Sequence, residues 1–428
     1  MTGAPFSSRL VRLFGSSIVD QALLSGANFL VGLILIRYAS ETQYGYYVLA
    51  FNGMMLATTL QGTFISTPLV IRLPGLDADA RRSWIGGLWR DQRRWTAAGS
   101  AVALAAIALA WATGALQPDA LPVCIAAVAL LAAATYREYF RGILLVYQRP
   151  HAVLAADTVY VVGLIAAGLL AMHQPIAATI ALGGAALSAL ACGRLLRRAL
   201  RQDMDADAPP GRMREIARVG FWAASGGVIY WLFNQGYSFL AAATLDLAAV
   251  AALAASRLVM MPVNLVTAGV QKQLTPVASG WLHQLGPRAT FRRLALFSAI
   301  LGAMTLVYLG TAWLLRDWIF IDLMRKDFAQ RDVLFQLWAA VFLVMSLRDP
   351  LMLLLLLRQR LRTLTAITLG SALLSLAICH AAMLRWGATG APFGVLCGEL
   401  FYIAAVLACT RAEMRRAEPV AGTKEVLP

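Results

Sequence analysis

Apolar residues in this chain fall into long, nearly unbroken runs divided by short polar gaps. Neither the strict alternation of half-buried strands nor the narrow stripe of surface helices is present. The runs predict helices near 16–36, 44–71, 96–114, 120–146, 152–172 and 175–195, and again near 218–243, 247–274, 292–315, 331–357, 361–384 and 388–410. Most are close to the roughly 20 residues that cross about 30 Å of hydrocarbon. The first run is too long for a signal-peptide core and reads as a retained helix. Pro68, Pro262 and Pro350 lie inside runs. Such prolines are tolerated in a membrane bundle, where neighbouring helices satisfy the carbonyls they free. The expected class is an all-α, polytopic membrane protein with about twelve transmembrane helices.

Composition sharpens this picture. Of 428 residues, 60% are hydrophobic and 14% charged, which excludes a water-soluble globule. A net charge of +15 suggests phosphate-rich partners, but only three lysines occur, and 27 of the 37 basic residues fall in alternate gaps. That distribution follows the positive-inside rule. It predicts an even number of spans, both termini in the cytoplasm, and no nucleic-acid partner. The longest polar gap, around Asp203 to Pro210, separates an expected N-lobe (1–205, helices 1–6) from a C-lobe (206–428, helices 7–12 plus a short cytoplasmic tail).

Catalytic chemistry is poorly represented. The five cysteines sit in apolar runs without a CxxC pair, and His151, His173, His283 and His380 are scattered, so no metal site is expected. A GxxxxGK[ST] loop is missing, which argues against ATP hydrolysis. Asp77-Ala78-Asp79 and Asp205-Ala206-Asp207 resemble the acidic pair of sugar transferases, but short loops without a supporting α/β domain make them solvated charges. No catalytic residue and no cofactor is expected, beyond proton or sodium coupling.

Arg137-Glu138 followed by Gln148-Arg149 recurs 211 positions later as Arg348-Asp349 followed by Gln359-Arg360. Two six-helix halves that both start in the cytoplasm are parallel repeats, related by an axis along the membrane normal. Asn28-Phe29-Leu30-Val31-Gly32-Leu33-Ile34-Leu35-Ile36-Arg37-Tyr38 with Tyr44-Gly45-Tyr46-Tyr47, and the Arg137-to-Arg149 spacing, resemble Wzx-type polysaccharide flippases. These belong to the multidrug/oligosaccharidyl-lipid/polysaccharide (MOP) exporter superfamily. The resemblance implies a MATE-like, two-lobed transporter. Its substrate would be an undecaprenyl-diphosphate-linked oligosaccharide, moved by alternating access from inner to outer leaflet for surface or exopolysaccharide synthesis. Membrane lipids and polysaccharide polymerase or export proteins are then the expected partners. A drug/cation antiporter and a membrane glycosyltransferase are the competing readings.

Charges within the spans are costly, at least about 2.5–3.5 kcal/mol each on insertion scales. Arg137 and Arg141 share one helical face and would repel unless an anion bridges them. A diphosphate suits paired guanidiniums. With Arg257 and Arg348 they form the expected substrate-binding set. Neighbouring positions on a helix point about 100° apart, so Arg348 and Asp349 are expected not to pair with each other. Asp20, Glu138, Asp157, Asp349 and Glu399 are candidates for ion or proton coupling or for structural pairing. Asp20 is weighed against snorkelling to the interface, and Glu399 against pairing with Arg257 or Arg348. Asn28, Asn52, Asn234, Gln235 and Asn264 are candidate sugar contacts. Trp84, Trp89 and Trp95 are expected to anchor a basic loop at the inner interface.

Overall fold

The computed structural model describes residues 4–205 and 207–416. The terminal tail, with Lys424 of the charge count, lies outside the described residues. The first six spans begin with α1 (Ala4–Tyr38) and α2 (Glu41–Gln61), which leads through a π-turn into α3 (Thr67–Arg72). They continue with α4 (Ala78–Ala112), α5 (Ala120–Val146), α6 (Pro150–Leu170) and α7 (Ala177–Ala199). The remainder comprises α8 (Arg212–Thr244), α9 (Leu247–Leu258), α10 (Met261–Leu314), α11 (Arg331–Leu357), α12 (Leu361–Trp386) and α13 (Gly390–Arg416). No strand occurs among the described residues.

Local chemistry sets the helix ends. Ser40 caps α2 by accepting from the Gln43 N–H at 3.2 Å. Asp77 caps α4 by accepting from the Ala80 N–H at 2.7 Å. Pro150 occupies the first turn of α6, where a missing N–H costs nothing. The 54 residues of α10 would extend about 80 Å as one rod, too long for one crossing. Gly286, at φ 75°, and Pro287 break it into two spans. Gly387, at φ 65°, divides α12 from α13 in the same way. Ten continuous apolar stretches, two of them double, therefore provide twelve crossings. Large side chains such as Val102, Val307, Leu314 and Leu373 stay exposed, the pattern of a surface solvated by lipid.

One expected span is interrupted. The run predicted over 247–274 breaks at Val259 and Met260, between α9 and α10. The freed Val259 carbonyl accepts the Tyr308 hydroxyl at 2.6 Å, so the break leaves no orphan acceptor there.

The chain falls into two compact units. The first is 1–231 with 246–254 and 324–326; the second is 232–245, 255–323 and 327–428. The expected linker around Asp203 to Pro210 lies within the first unit and is docked on α4. Asp205 N–H donates to the Arg82 carbonyl at 3.1 Å. Gly86 and Gly87 permit this approach, because a Cβ at either would collide with the Asp205 or Pro209 carbonyl. The buried Asp91 carboxylate accepts from the Gly211 and Met213 N–H groups at 2.8 Å, capping the start of α8.

The repeated sequence has a repeated backbone. Gln148 (φ 54°) and Gln359 (φ 56°) both take the left-handed conformation just past α5 and α11. Arg149 N–H reaches the Leu144 carbonyl and Arg360 N–H the Leu355 carbonyl, each at 2.9 Å, the six-to-one bond of a Schellman cap. Each arginine then pairs with an acid near the end of the sixth helix of its half: Arg149 with Asp203 at 2.8 Å and Arg360 with Glu413 at 2.8 Å.

Candidate functional site

In the first unit, Arg137 and Arg141 project from one face of α5, as their spacing requires. The anion between them is a residue of the chain itself. Arg137 Nη2 lies 2.5 Å from Asp157 Oδ1, and Arg141 Nε lies 2.9 Å from Asp157 Oδ2. Arg141 Nη2 also meets Asp20 Oδ2 at 2.6 Å, with Glu138 at 3.6 Å. The Tyr160 ring, one turn beyond Asp157 on α6, covers the Arg137 guanidinium at 4.1 Å. Cys192 Sγ donates to Asp157 at 3.4 Å. Asp157 is fully buried and Asp20 nearly so; Asp20 is thus a buried pair member on α1 and does not snorkel. The network ties α1, α5 and α6 together and occupies the face expected for a diphosphate.

The second unit repeats the arrangement with different partners. Arg348 Nη1 meets Glu399 Oε2 on α13 at 2.6 Å, and the Tyr402 ring, one turn further, covers it at 4.5 Å. Arg348 Nη2 also reaches Asp349 Oδ1 at 2.7 Å. The expectation that these neighbours do not pair is therefore corrected. The Cα–Cβ bonds diverge, but the long arginine stem folds back over its own helix.

Formal charges give each cluster the same excess. Two arginines against Asp20, Glu138 and Asp157 leave one negative charge in the first. One arginine against Asp349 and Glu399 leaves one in the second. Asp20 Oδ1 has no hydrogen-bond partner among the described residues.

Arg257 is held differently. Its Nη1 donates to the Asn234 carbonyl at 2.9 Å, Gln235 Oε1 at 2.9 Å and the Tyr237 hydroxyl at 3.0 Å. The rings of Tyr237, Trp338 and Phe342 surround it at 5.5–6.0 Å. All these partners belong to the second unit. Glu399 lies within its electrostatic reach, but no carboxylate stands at ion-pair distance among the described residues. A guanidinium carries five N–H donors. Among the described residues Nη1 makes these hydrogen bonds and the donors on Nε and Nη2 make none. Arg257 is half-buried, which leaves those donors partly desolvated and strengthens any anion contact they make.

Asn234 and Gln235 thus join Arg257, while the other expected sugar contacts are dispersed. The Asn28 side-chain oxygen is buried without a partner among the described residues. Asn52 is buried and its backbone carbonyl accepts from Trp231 Nε1 at 3.1 Å, and Asn264 is exposed on α10. Of the expected interfacial tryptophans, only Trp95 is exposed. Trp84 and Trp89 are buried. Trp84 donates to Glu215 at 3.2 Å, and Trp89 packs among Tyr136, Tyr139 and Phe140. The predicted loop around them is helical from Ala78, so one of its faces is packed against the bundle. No cluster of three or more metal-ligating side chains occurs among the described residues.

No family model matches the chain, and no curated protein matches it. Solved structures do. An inward-facing multidrug resistance MATE family transporter of the MOP superfamily superposes with a TM-score of 0.73 at 14% identity, covering 94% of this chain and 96% of that one. The lipid II flippase MurJ, in an inward closed conformation, gives 0.72 at 10% identity over 94% and 87%. A MOP superfamily transporter from Pyrococcus furiosus, described as having a binding pocket of reversed polarity, gives 0.64 at 13% over 95% of each chain. The chain has the MATE/MurJ-like fold. At these identities the likeness is one of architecture.

Proposed function

We propose that the chain is a flippase for undecaprenyl-diphosphate-linked oligosaccharides. It acts in the bacterial inner membrane with both termini cytoplasmic, and its lobes (1–205 and 206–428) alternate access between the leaflets. The observation that carries this reading is Arg257, a half-buried guanidinium whose Nε and Nη2 make no hydrogen bond, and which has no carboxylate at ion-pair distance, among the described residues. A diphosphate supplies the acceptors those donors lack. Asn234 and Gln235 stand beside it for sugar hydroxyls. A lipid II flippase among the structures of like fold supports the same substrate class. Arg137, Arg141 and Arg348 then act as scaffold, since their own unit's carboxylates already occupy them.

The test is movement of labelled lipid-diphosphate oligosaccharide across vesicles containing the purified chain. Unaltered substrate should appear in the opposite leaflet with the native chain and not with Arg257→Ala. Cells lacking the protein should accumulate the lipid-linked repeat unit. Equal flipping by native and R257A vesicles overturns the assignment.

The formal excess of carboxylates over guanidiniums in each cluster favours a second reading, a proton- or sodium-coupled antiporter for cationic drugs. The two readings separate on substrate. An antiporter moves an organic cation against a proton or sodium gradient, and its transport is indifferent to Arg257.

A further inference from the structure

A cavity of about 1020 Å³ opens in the first unit, where α2, α4, α5 and the start of α8 meet. Phe64, Ile65, Trp95, Met213 and Ala224 give it apolar walls. Beside it lies a bowl of about 180 Å³ lined by Trp89, Arg90, Arg93, Arg94 and Arg197. Arg94 lines both. Arg90 is committed to Asp207 at 3.0 Å. Arg93, Arg94 and Arg197 make no ion pair among the described residues, so the bowl holds three uncommitted guanidiniums.

A second feature marks the cavity wall. Gln61 and Gln92 both donate their side-chain N–H to one acceptor, the Thr135 carbonyl, at 2.9 and 3.0 Å. Both Oε1 atoms are left buried without a partner among the described residues, on side chains more than nine-tenths buried. Buried acceptors normally find donors. Both glutamines lie on the wall of the apolar groove, apart from the arginine bowl.

We propose that this composite is a binding site for an anionic phospholipid of the surrounding bilayer. The phosphate sits among Arg93, Arg94 and Arg197, and an acyl chain lies along Phe64, Ile65 and Trp95. A free phosphate would leave the apolar groove unfilled, and a zwitterionic lipid would leave the bowl's positive charge uncompensated. Trp95, exposed at 69%, sits where acyl chain and headgroup meet, a position its amphipathic ring favours. The site shares no residue with the Arg257 cage and does not rest on the flippase reading.

The test is native mass spectrometry of the full chain released from mixed micelles holding equal phosphatidylglycerol and phosphatidylcholine. The native chain should retain phosphatidylglycerol preferentially. The exposed-site variant R93Q/R94Q/R197Q should lose that preference by roughly 100-fold, at about fivefold per arginine. A98W, which fills the groove and leaves the charges in place, should also lose retention. Melting temperatures in lipid-free detergent check that both variants fold. Equal retention of the two lipids by the native chain overturns the proposal. So does retention unchanged in either variant, or displacement of the lipid by inorganic phosphate as effectively as by added phosphatidylglycerol.

Discussion

In the first unit, the half-buried Arg137 and Arg141 both end on carboxylates of that unit, with Asp157 wedged between them. In the second, Arg348 ends on Glu399 and Asp349, but Arg257 ends on a carbonyl, an amide oxygen, a phenol and three rings. Both units keep guanidinium in an apolar setting. Among the described residues, Arg257 is the arginine within the spans whose Nε and Nη2 make no hydrogen bond to the protein. A buried arginine is therefore informative only once its partners are counted. A closed pair fixes helices in place, and an open one can recognise an anion.

The halves also differ in how they close their pairs. The cap at Gln148-Arg149 and the one at Gln359-Arg360 are alike, down to the acid near the sixth helix end that each arginine meets. Deeper in, the partner of Arg137 comes from the fifth helix of its half and that of Arg348 from the sixth. The Arg–carboxylate–tyrosine pattern survives because Asp157 and Tyr160, like Glu399 and Tyr402, are three residues apart on one helical face.

The comparison breaks most readily at Asp157. Asp157→Asn removes a fully buried anion shared by Arg137 and Arg141 and should cost about 3–5 kcal/mol, read as a lower melting temperature in detergent or loss of protein from the membrane. A variant as stable as the native chain would mean that the bridge is unimportant. Arg257→Ala comes next. It should lower transport on the order of 100-fold, equivalent to about 2.7 kcal/mol, while stability changes by no more than about 1 kcal/mol, since no ion pair is lost. If R257A unfolds the protein instead, Arg257 belongs with the scaffold arginines. Glu399→Gln should destabilise by roughly 1–3 kcal/mol, less than D157N, because Asp349 stays on Arg348. Denaturant titration of both variants side by side gives that order or refutes it. Glu138→Gln should be nearly silent, within about 0.5 kcal/mol, because Glu138 is the longest and most exposed contact of its cluster. A large loss there would show that the formal charge excess itself holds the first unit together.

Much of this molecule is legible along the chain. Lipid requires a satisfied backbone over a fixed thickness, so apolar runs near 20 residues mark the crossings, and the break of α10 at Gly286-Pro287 falls in the gap between the runs at 247–274 and 292–315. The Arg-Glu and Arg-Asp repeat pointed to equivalent helices, and their shared Schellman caps bear out that equivalence. The interruption at Val259–Met260 was not marked, because apolar residues continue through it and only Tyr308, 49 positions on, satisfies the freed carbonyl. Asp91 carried no signal either: among arginines it resembles a solvated loop charge, yet it caps α8.

What the sequence by itself determined was the solvent, the number of crossings and which ionisable groups lie within them, since these depend on local composition and length. What only the tertiary structure decided was the meaning of those groups. Arg137 and Arg257 look alike in the chain, but one faces Asp157 and the other faces carbonyls and rings. Side-chain electrostatics depend on distances of a few ångströms between residues tens to hundreds of positions apart, and no local pattern encodes them.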